Sequence, residues 1–374
     1  MTKKTRKPAR IGVLTGGGDC PGLNAVIRAV TKDARYHRIE VIGIEDGFLG
    51  LIENRVRQLD YRKVSGILQT GGTILGSSNK ANPARFATGK DAAGAPIFED
   101  VTNRCFATIE EHKIEALVVI GGDGTMTCAE PFAKAGIPVI GVPKTIDNDI
   151  VGTELTFGFQ SAVDVATSAL DRVHTTAESH SRVMVVEVMG RNAGWIALHA
   201  GVASGSDVIL IPEIPFTLDA IAEHVLWRRS KGRRATIVCC AEGAAPLGGE
   251  QVVREVDPTS PDPIRLGGIG AWVARGVEQR VDVDARHVVL GHVQRGGAPV
   301  PADRVLATLL GDRATELLLR GKGNRMVAFQ RGRITDIPID EPAGRQRTVP
   351  MDEPLLEAAR SVFTVFGDGS ARRE

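Results

Sequence analysis

No run of about 18 consecutive apolar residues occurs anywhere in this 374-residue chain, so no membrane-spanning helix is expected. No Cys-x-x-Cys pair joins any two of the five cysteines (Cys20, Cys105, Cys128, Cys239 and Cys240), so neither a zinc ribbon nor a disulfide framework is indicated. Scattered, odd-numbered cysteines suit a reducing cytosol, and a cytoplasmic protein is expected. Net charge is nearly absent, 46 Lys and Arg against 45 Asp and Glu, which gives no reason to expect nucleic acid or an acidic membrane as a partner. The basic start, residues 1–10, has no apolar segment behind it and reads as a disordered tail rather than a targeting signal. No internal repeat of fixed short period is visible.

What the chain does have is apolar content (43%) and 43 glycines, well above the usual share of roughly 7%. That length and apolar content favour two lobes. The glycines cluster in short turns after apolar runs, where backbone can approach a ligand or a neighbouring element. Residues 11–14, 40–44, 116–120 and 137–142 read as buried strands separated by helical patterns, and the helix after the first buries Leu23, Val26, Ile27 and Val30. Further strands are expected at 181–188, 207–211, 236–240 and 285–290, with helices at 159–176 and 303–319. Fully apolar strands alternating with helices predict an α/β fold of two Rossmann-like lobes, each a mostly parallel sheet covered on both faces. Residues 82–103 and 244–268 read as loops, and the last forty residues are polar and broken by proline. Cys20, at an expected helix start, is open to a lowered proton affinity, although a small space-filling residue is the plainer reading.

The polar clusters fall at the C-terminal ends of these strands, where open α/β sheets form their ligand crevice. Thr15-Gly16-Gly17-Gly18-Asp19 offers main-chain N–H groups and a helix N-terminus to a phosphate, though tight packing explains it equally well. It is not a Walker A loop, since no Gly-Lys-Ser/Thr follows. Gly121-Gly122-Asp123-Gly124-Thr125 lets a nucleotide lie against the chain, and Asp123 offers Mg²⁺ a hard oxygen ligand; an Asp here also serves as a helix cap. In Pro143-Lys144-Thr145-Ile146-Asp147-Asn148-Asp149 two carboxylates stand two residues apart, so mutual repulsion can raise one into the range of a general base. Lys144 and Thr145 add a positive charge and a hydroxyl for a transferred phosphoryl group. Arg191 in Met189-Gly190-Arg191, together with His292 and Arg295 in Gly-His-Val-Gln-Arg-Gly-Gly, suits phosphate recognition, and Arg182 and Arg286 flank strands as well.

These motifs, in this order and spacing, resemble the bacterial-type 6-phosphofructokinases of the mixed-substrate, long-chain subgroup, from about Ile11 to Phe329. The resemblance implies transfer of the γ-phosphoryl group of ATP to the 1-hydroxyl of fructose 6-phosphate in glycolysis, with the site in the cleft between the lobes. It implies Asp147 as the base, Thr145 and Asp149 as its support, and Arg191 on the transferring group. Gly18, Gly122, Asp123, Gly124, Thr125, Asn79 and Lys80 would meet the donor, with Mg²⁺ on Asp123. Thr145, Asp147, Met189, Gly190, Arg191, Glu242, His292 and Arg295 would hold the sugar phosphate. Arg182 and Arg286 would reach a neighbouring subunit's sugar site, which implies a homotetramer or homodimer. The resemblance also implies a donor lobe of 1–157 with about 294–347, and a sugar lobe of 158–293 with about 348–374.

Two positions bear on the donor. The residue after Gly-Gly-Asp is Gly in ATP users of this family and Asp in pyrophosphate users, and here it is Gly124. The residue before Thr-Ile-Asp is usually Gly in ATP users and Lys in pyrophosphate users, and here it is Lys144. Steric room is the stricter requirement, so ATP is expected, with pyrophosphate as the alternative. A family arginine that bridges the two substrates falls on Asn79, with Lys80 next to it. An arginine that contacts nucleotide effectors in regulated members falls on His174, with Arg28 and Lys32 still basic, so the usual effector response is not expected. NAD kinases and diacylglycerol kinases share Gly-Gly-Asp-Gly, but Thr-Ile-Asp-Asn-Asp and Gly-His-Val-Gln-Arg argue against them. Intact Asp147 and Arg191 argue against a catalytically dead regulatory subunit.

Overall fold

The computed structural model describes residues 7–92, 94–256, 264–342 and 344–370. Strand β1 (Arg10–Thr15) leads to helix α1 (Leu23–Tyr36), followed by β2 (Glu40–Ile44), α2 (Phe48–Ile52) and β3 (Val56–Leu59). Then come β4 (Phe86–Lys90), β5 (Pro96–Glu99), α3 (Thr102–Glu111), β6 (Ala116–Gly121), α4 (Asp123–Lys134), β7 (Val139–Thr145), and a two-residue β8 (Phe157–Gly158) opening α5 (Phe159–His180). The chain continues through β9 (Val183–Val188), α6 (Trp195–Ala203), β10 (Val208–Leu210), α7 (Leu218–Ser230) and β11 (Thr236–Ala241). Strands β12 (Val253–Val256) and β13 (Ile264–Leu266), α8 (Ile269–Glu278) and β14 (Ala285–Val289) follow, then α9 (Pro301–Leu319), β15 (Arg325–Gln330), β16 (Arg333–Pro338) and α10 (Pro354–Ser361).

Two sheets organise these elements. The larger runs β16-β15-β7-β6-β1-β2-β3, with β8 beside the end of β7. Its centre is parallel, and the outermost pairs, β15 with β16 and β2 with β3, are antiparallel. The smaller runs β10-β11-β9-β14, parallel throughout. The two-lobed, mostly parallel α/β architecture expected from the apolar runs is the one observed.

The period-two geometry of a strand explains why these runs must lie inside. All six residues of β6 are buried. Ala116, Val118 and Ile120 join one core, while Leu117 and Val119 join another on the opposite face. In β9 and β11 the same alternation sends Val186 and Cys239 into the first of those cores and Val185 and Cys240 into a third. The first core therefore runs unbroken from one sheet to the other. A buried Val or Leu contributes roughly 1.5–3 kcal/mol, against roughly 0.2–1 for an exposed ion pair such as Arg320–Glu316. Apolar strands, not surface charges, set the fold.

Several segments differ from the sequence reading. Residues 82–103 are not a loop: Asn82 caps a short 3₁₀ turn by accepting the Ala84 N–H at 3.0 Å, and the hairpin of β4 and β5 follows. Residues 244–268 likewise contain the antiparallel pair β12 and β13, although 257–263 lie outside the described residues. All of β4 after Phe86 and all of β12 are exposed, so neither carries an apolar alternation to read. Strands β3, β15 and β16 were also not expected, nor was α10 among the final forty residues. At the start, residues 1–6 lie outside the described residues. Residues 7–10 are held, since Ala9 donates its N–H to Glu115 at 2.7 Å and Lys7 bonds the His37 carbonyl.

The registers place the motifs together. Thr15 pairs with Ile120, and Gly121 with Pro143, so the turns after β1, β6 and β7 meet at one edge of the large sheet. Ala241 pairs with Val188, and Val289 with Glu187, which brings the ends of β9, β11 and β14 together in the small sheet.

Candidate active site

The glycine turn after β1 is fixed by main-chain bonds. Gly16 donates to the Ile120 carbonyl at 2.9 Å and Gly17 to the Ser78 carbonyl at 3.2 Å. Helix α4 starts at Asp123, directly after β6, so its N-terminal N–H groups face the same edge. Thr125 packs its side chain against Gly16 and Gly121. Together these segments wall a cavity of about 520 Å³ that also takes in Lys144, Thr145, Asp147 and Asp149. A Cβ built on Gly124 meets nothing within 4 Å. The protein's own packing therefore does not require glycine there, and the free space belongs to the cavity.

Lys144 is buried at the end of β7, and its ammonium donates to the carbonyl of Gly18. Burial pushes its proton affinity down. Asn148 is the hinge of the following loop. It adopts a left-handed conformation (φ 52°), its amide donates to the Glu154 carbonyl at 3.2 Å, and its side-chain oxygen accepts the Thr156 N–H at 3.0 Å. Asn tolerates this conformation better than most residues. The turn throws Asp147 and Asp149 to the cavity side. The Asp147 N–H is held by the Thr145 hydroxyl at 3.1 Å, while its Oδ1 is buried with no hydrogen-bond partner among the described residues.

Both carboxyls hold their protons more tightly than usual. Burial raises Asp147, and Glu242 adds to this while Arg295 and Lys144 oppose it. Asp149 is pushed up to about 7, by burial first and then by the charges of Asp147 and Asp123. Repulsion between the two loop carboxylates is thus present, but burial is the larger cause.

Across from this loop lies a second cavity, about 1010 Å³, lined by Met189, Glu242, His292 and Arg295. The two cavities share Gly17, Gly18, Asn79, Asp147, Arg191 and Arg295, so Asp147 and Arg191 stand at their junction. Glu242 is raised chiefly by burial, with Glu187 adding to it. Arg295 donates to the Asp19 carbonyl at 3.2 Å and so bridges the two sheets' edges.

Of the residues that the resemblance assigns to the donor or the sugar phosphate, Lys80, Gly190, Arg182 and Arg286 line neither cavity. Gly190 instead serves the main chain, accepting the Gly243 N–H at 3.1 Å. Arg182 and Arg286 both pair with Asp284 beside the edge strand β14, and Arg286 is half exposed. Cys20 keeps the space-filling role that is its plainer reading: it is fully buried, burial pushes its thiol up to about 12 rather than down, and it donates to the Phe157 carbonyl at 3.7 Å.

Other residues of the site were given no role by the sequence. Glu187 is buried and accepts the N–H groups of Gly268 and, at 2.8 Å, Gly270, so it anchors the start of α8 beside the larger cavity. Arg254 and Arg265, on β12 and β13, line that cavity too. Gln251 donates to the carbonyls of Arg191 (2.9 Å) and Gly243 (3.0 Å). A Cβ on Gly243 would stand 1.8 Å from the Arg191 carbonyl, so only glycine lets this chain pass. Their signal lies in spatial contact rather than in spacing along the chain.

The sequence model of the family described as phosphofructokinase matches residues 10–318. The chain belongs to the phosphofructokinase family. A full-length relative from Clostridium perfringens, named ATP-dependent 6-phosphofructokinase 2, is 48% identical over 96% of this chain and 98% of its own length. Another, from Amycolatopsis methanolica, is named pyrophosphate–fructose 6-phosphate 1-phosphotransferase and is 46% identical over 91% and 96% of the two chains. Among solved structures, a pyrophosphate-dependent phosphofructokinase from Marinobacter aquaeolei aligns over 98% of this chain and 96% of its own, with a TM-score of 0.77 at 22% identity, which speaks to the fold. Within this phosphofructokinase, the matched region holds both cavities except for Gly344 and Gln346, which close the smaller one from beyond it.

Proposed function

We propose that this phosphofructokinase transfers the γ-phosphoryl group of ATP to the 1-hydroxyl of fructose 6-phosphate, giving fructose 1,6-bisphosphate and ADP. The observation that carries the reading is the junction: a glycine-walled cavity and an Arg/His/Glu cavity meet at one buried carboxylate, Asp147, whose Oδ1 has no hydrogen-bond partner among the described residues. The sugar phosphate takes the larger cavity, held by Met189, Glu242, His292 and Arg295, and the donor takes the smaller. Asp147 accepts the proton of the 1-hydroxyl as its oxygen bonds to phosphorus, and the bond to the bridging oxygen breaks so that its electron pair leaves with ADP. Its raised proton affinity suits that task. Arg191 stands where charge builds on the transferring group. Thr145 orients the loop through the Asp147 N–H.

Asp123 would hold Mg²⁺. The fit rests on the chemistry of the donor set: no cluster of three ligating side chains is present among the described residues, but Asp123 offers a carboxylate at the rim of the donor cavity, and Mg²⁺ is usually held by one or two carboxylates with the rest of its oxygens from phosphate and water. When bound, the cation neutralises donor phosphate charge.

Open space at Gly124 supports ATP, because the nucleotide needs room that an Asp side chain would fill. A second reading has a specific observation behind it. The ammonium of Lys144, buried beneath the glycine turn, favours a compact donor such as pyrophosphate. Measuring fructose 1,6-bisphosphate formed with ATP and with pyrophosphate, each with and without Mg²⁺, separates the two. Turnover with pyrophosphate alone would overturn the ATP reading, and turnover without Mg²⁺ the metal assignment.

Arg182 and Arg286, set on one patch outside both cavities, are proposed to reach the sugar site of a neighbouring copy in a homodimer or homotetramer, and a cytoplasmic glycolytic role goes with this reading. The lobes are proposed to divide as 1–157 with about 294–347 for the donor and 158–293 with about 348–374 for the sugar. Packing of α9 on α1 and of α10 on α6 supports that division.

A further inference from the structure

Beyond the matched family region, residues 344–349 cross the cleft as a strap. Gly344 and Gln346 line the smaller cavity, and Gln346 forms an antiparallel bridge with Ile150. Arg347 then makes two bonds to the loop that carries the catalytic carboxylate: its N–H donates to the Asp149 carbonyl at 2.7 Å and its Nη1 to the Asn148 carbonyl at 3.0 Å. The same residue grips the other lobe. Its guanidinium lies 4.0 Å over the ring of Trp195, whose Nε1 donates back to the Arg347 carbonyl at 3.0 Å. Trp195 is buried and opens α6, four residues after Arg191. Two residues on, Val349 donates to Glu213 at 2.8 Å, and Glu213 also accepts the Gly194 N–H.

We propose that Arg347 is a positioning residue for phosphoryl transfer, holding the Asn148 and Asp149 carbonyls so that Asp147 stays in line with the two cavities, and tying that loop through Trp195 to the lobe that carries Arg191. Both bonds to the loop fall on main-chain carbonyls, that of the left-handed Asn148 and that of Asp149 after it, at the point where a small rotation would swing both carboxylates. Neither bond reaches the Asp147 or Asp149 carboxyl. Arg347 therefore acts on the loop by geometry. Plain tail packing would need only Trp195 and Glu213, and does not account for a guanidinium aimed at Asn148.

The kinetic form of this inference rests on the reading of the site as a phosphofructokinase centre. Arg347→Lys keeps a cation over Trp195 and the main-chain bonds but loses the planar fork, while Trp195→Phe keeps the ring and loses its donor. A misplacement of about 1 Å at a reacting group costs on the order of 100-fold in rate. Arg347→Ala is therefore expected to lower kcat by about 100-fold, and Arg347→Lys and Trp195→Phe by about 10-fold, with KM for fructose 6-phosphate changed less than about threefold. Amide hydrogen exchange over residues 147–150 is expected to quicken in each variant, with or without substrates. A variant that loses thermal stability but keeps wild-type kcat and loop exchange would overturn the proposal and leave the strap purely structural. Wild-type protein that makes no fructose 1,6-bisphosphate from either donor would sink the functional reading instead, while the exchange comparison would still decide whether Arg347 holds the loop.

Discussion

The ammonium of Lys144 donates to the main-chain carbonyl of Gly18, which locks the end of β7 to the turn after β1. Removing a buried lysine from water is costly unless it gains partners, and burial lowers its proton affinity accordingly. A bound anion in the smaller cavity would supply a further partner. That one contact is why the donor is the question most worth settling by substitution.

Gly124→Asp tests it. The new side chain enters open space, so folding is expected to be unaffected. A second carboxylate beside Asp123 repels the nucleotide's phosphates and fills its room. KM for ATP should rise by about 10-fold or more, on the order of 1.4 kcal/mol, while any pyrophosphate turnover persists. Unchanged ATP kinetics would separate Gly124 from donor choice.

Asp147→Ala removes the carboxylate at the junction. kcat is expected to fall by about 10²- to 10⁴-fold, the usual worth of a positioned base. Folding should hold, because Oδ1 makes no hydrogen bond among the described residues that the variant could lose. Near-normal turnover in the variant would sink the mechanism.

Asp149→Asn probes the stability held hostage in the site. The folded carboxyl titrates at about 7 against an ordinary value of 3.8. Between those values the unfolded chain sheds a proton that the folded chain keeps, so the wild type loses stability as pH rises through this window. The variant has no such loss. Its melting temperature should match the wild type near pH 4 and exceed it above pH 7, by ~2–5 °C. Activity should fall over the same range of pH, since the carboxylate is gone. A melting difference that grows toward acid pH would refute the assignment.

Gly243→Ala drives a methyl group into the Arg191 carbonyl. With kcat falling by about 10- to 100-fold through displacement of Arg191, the sugar-phosphate KM should move much less. Crystals of the variant should show the Arg191 main chain shifted, and an unmoved Arg191 would break the link.

Much of this architecture was readable in the chain because the informative residues were contiguous. Ala116 to Ile120 could only be a strand buried on both faces, and the turns after β1, β6 and β7 each kept their chemistry within a few residues. Strands β4 and β12 were not readable, since an exposed strand has no buried face to impose alternation. Of the site, Asp147, Arg191, His292 and Arg295 stood in short motifs. Gln251 and Arg347 did not, and Glu187, although on the strand that leads into Met189-Gly190-Arg191, had no role that its neighbours in sequence could suggest. Each acts on main-chain groups far along the chain, Glu187 on Gly270 and Arg347 on Asn148, and such contacts leave no local pattern. Cys20 marks the limit of position alone: a site just before α1 leaves a lowered proton affinity open, and only enclosure by neighbouring side chains, invisible in sequence, decides for the space-filling reading.

The strap at residues 344–349 also ties completion of the site to completion of the fold. It lies C-terminal to every other wall of the smaller cavity. Residues beyond it finish the core around the small sheet, with Val365 bridging Val208 of β10 and Phe366 fully buried. Domains form as the chain leaves the ribosome, N-terminal parts first. The loop bearing Asp147 is therefore clamped only as the last-made segment seats itself, and closing the core and readying the site are one late event.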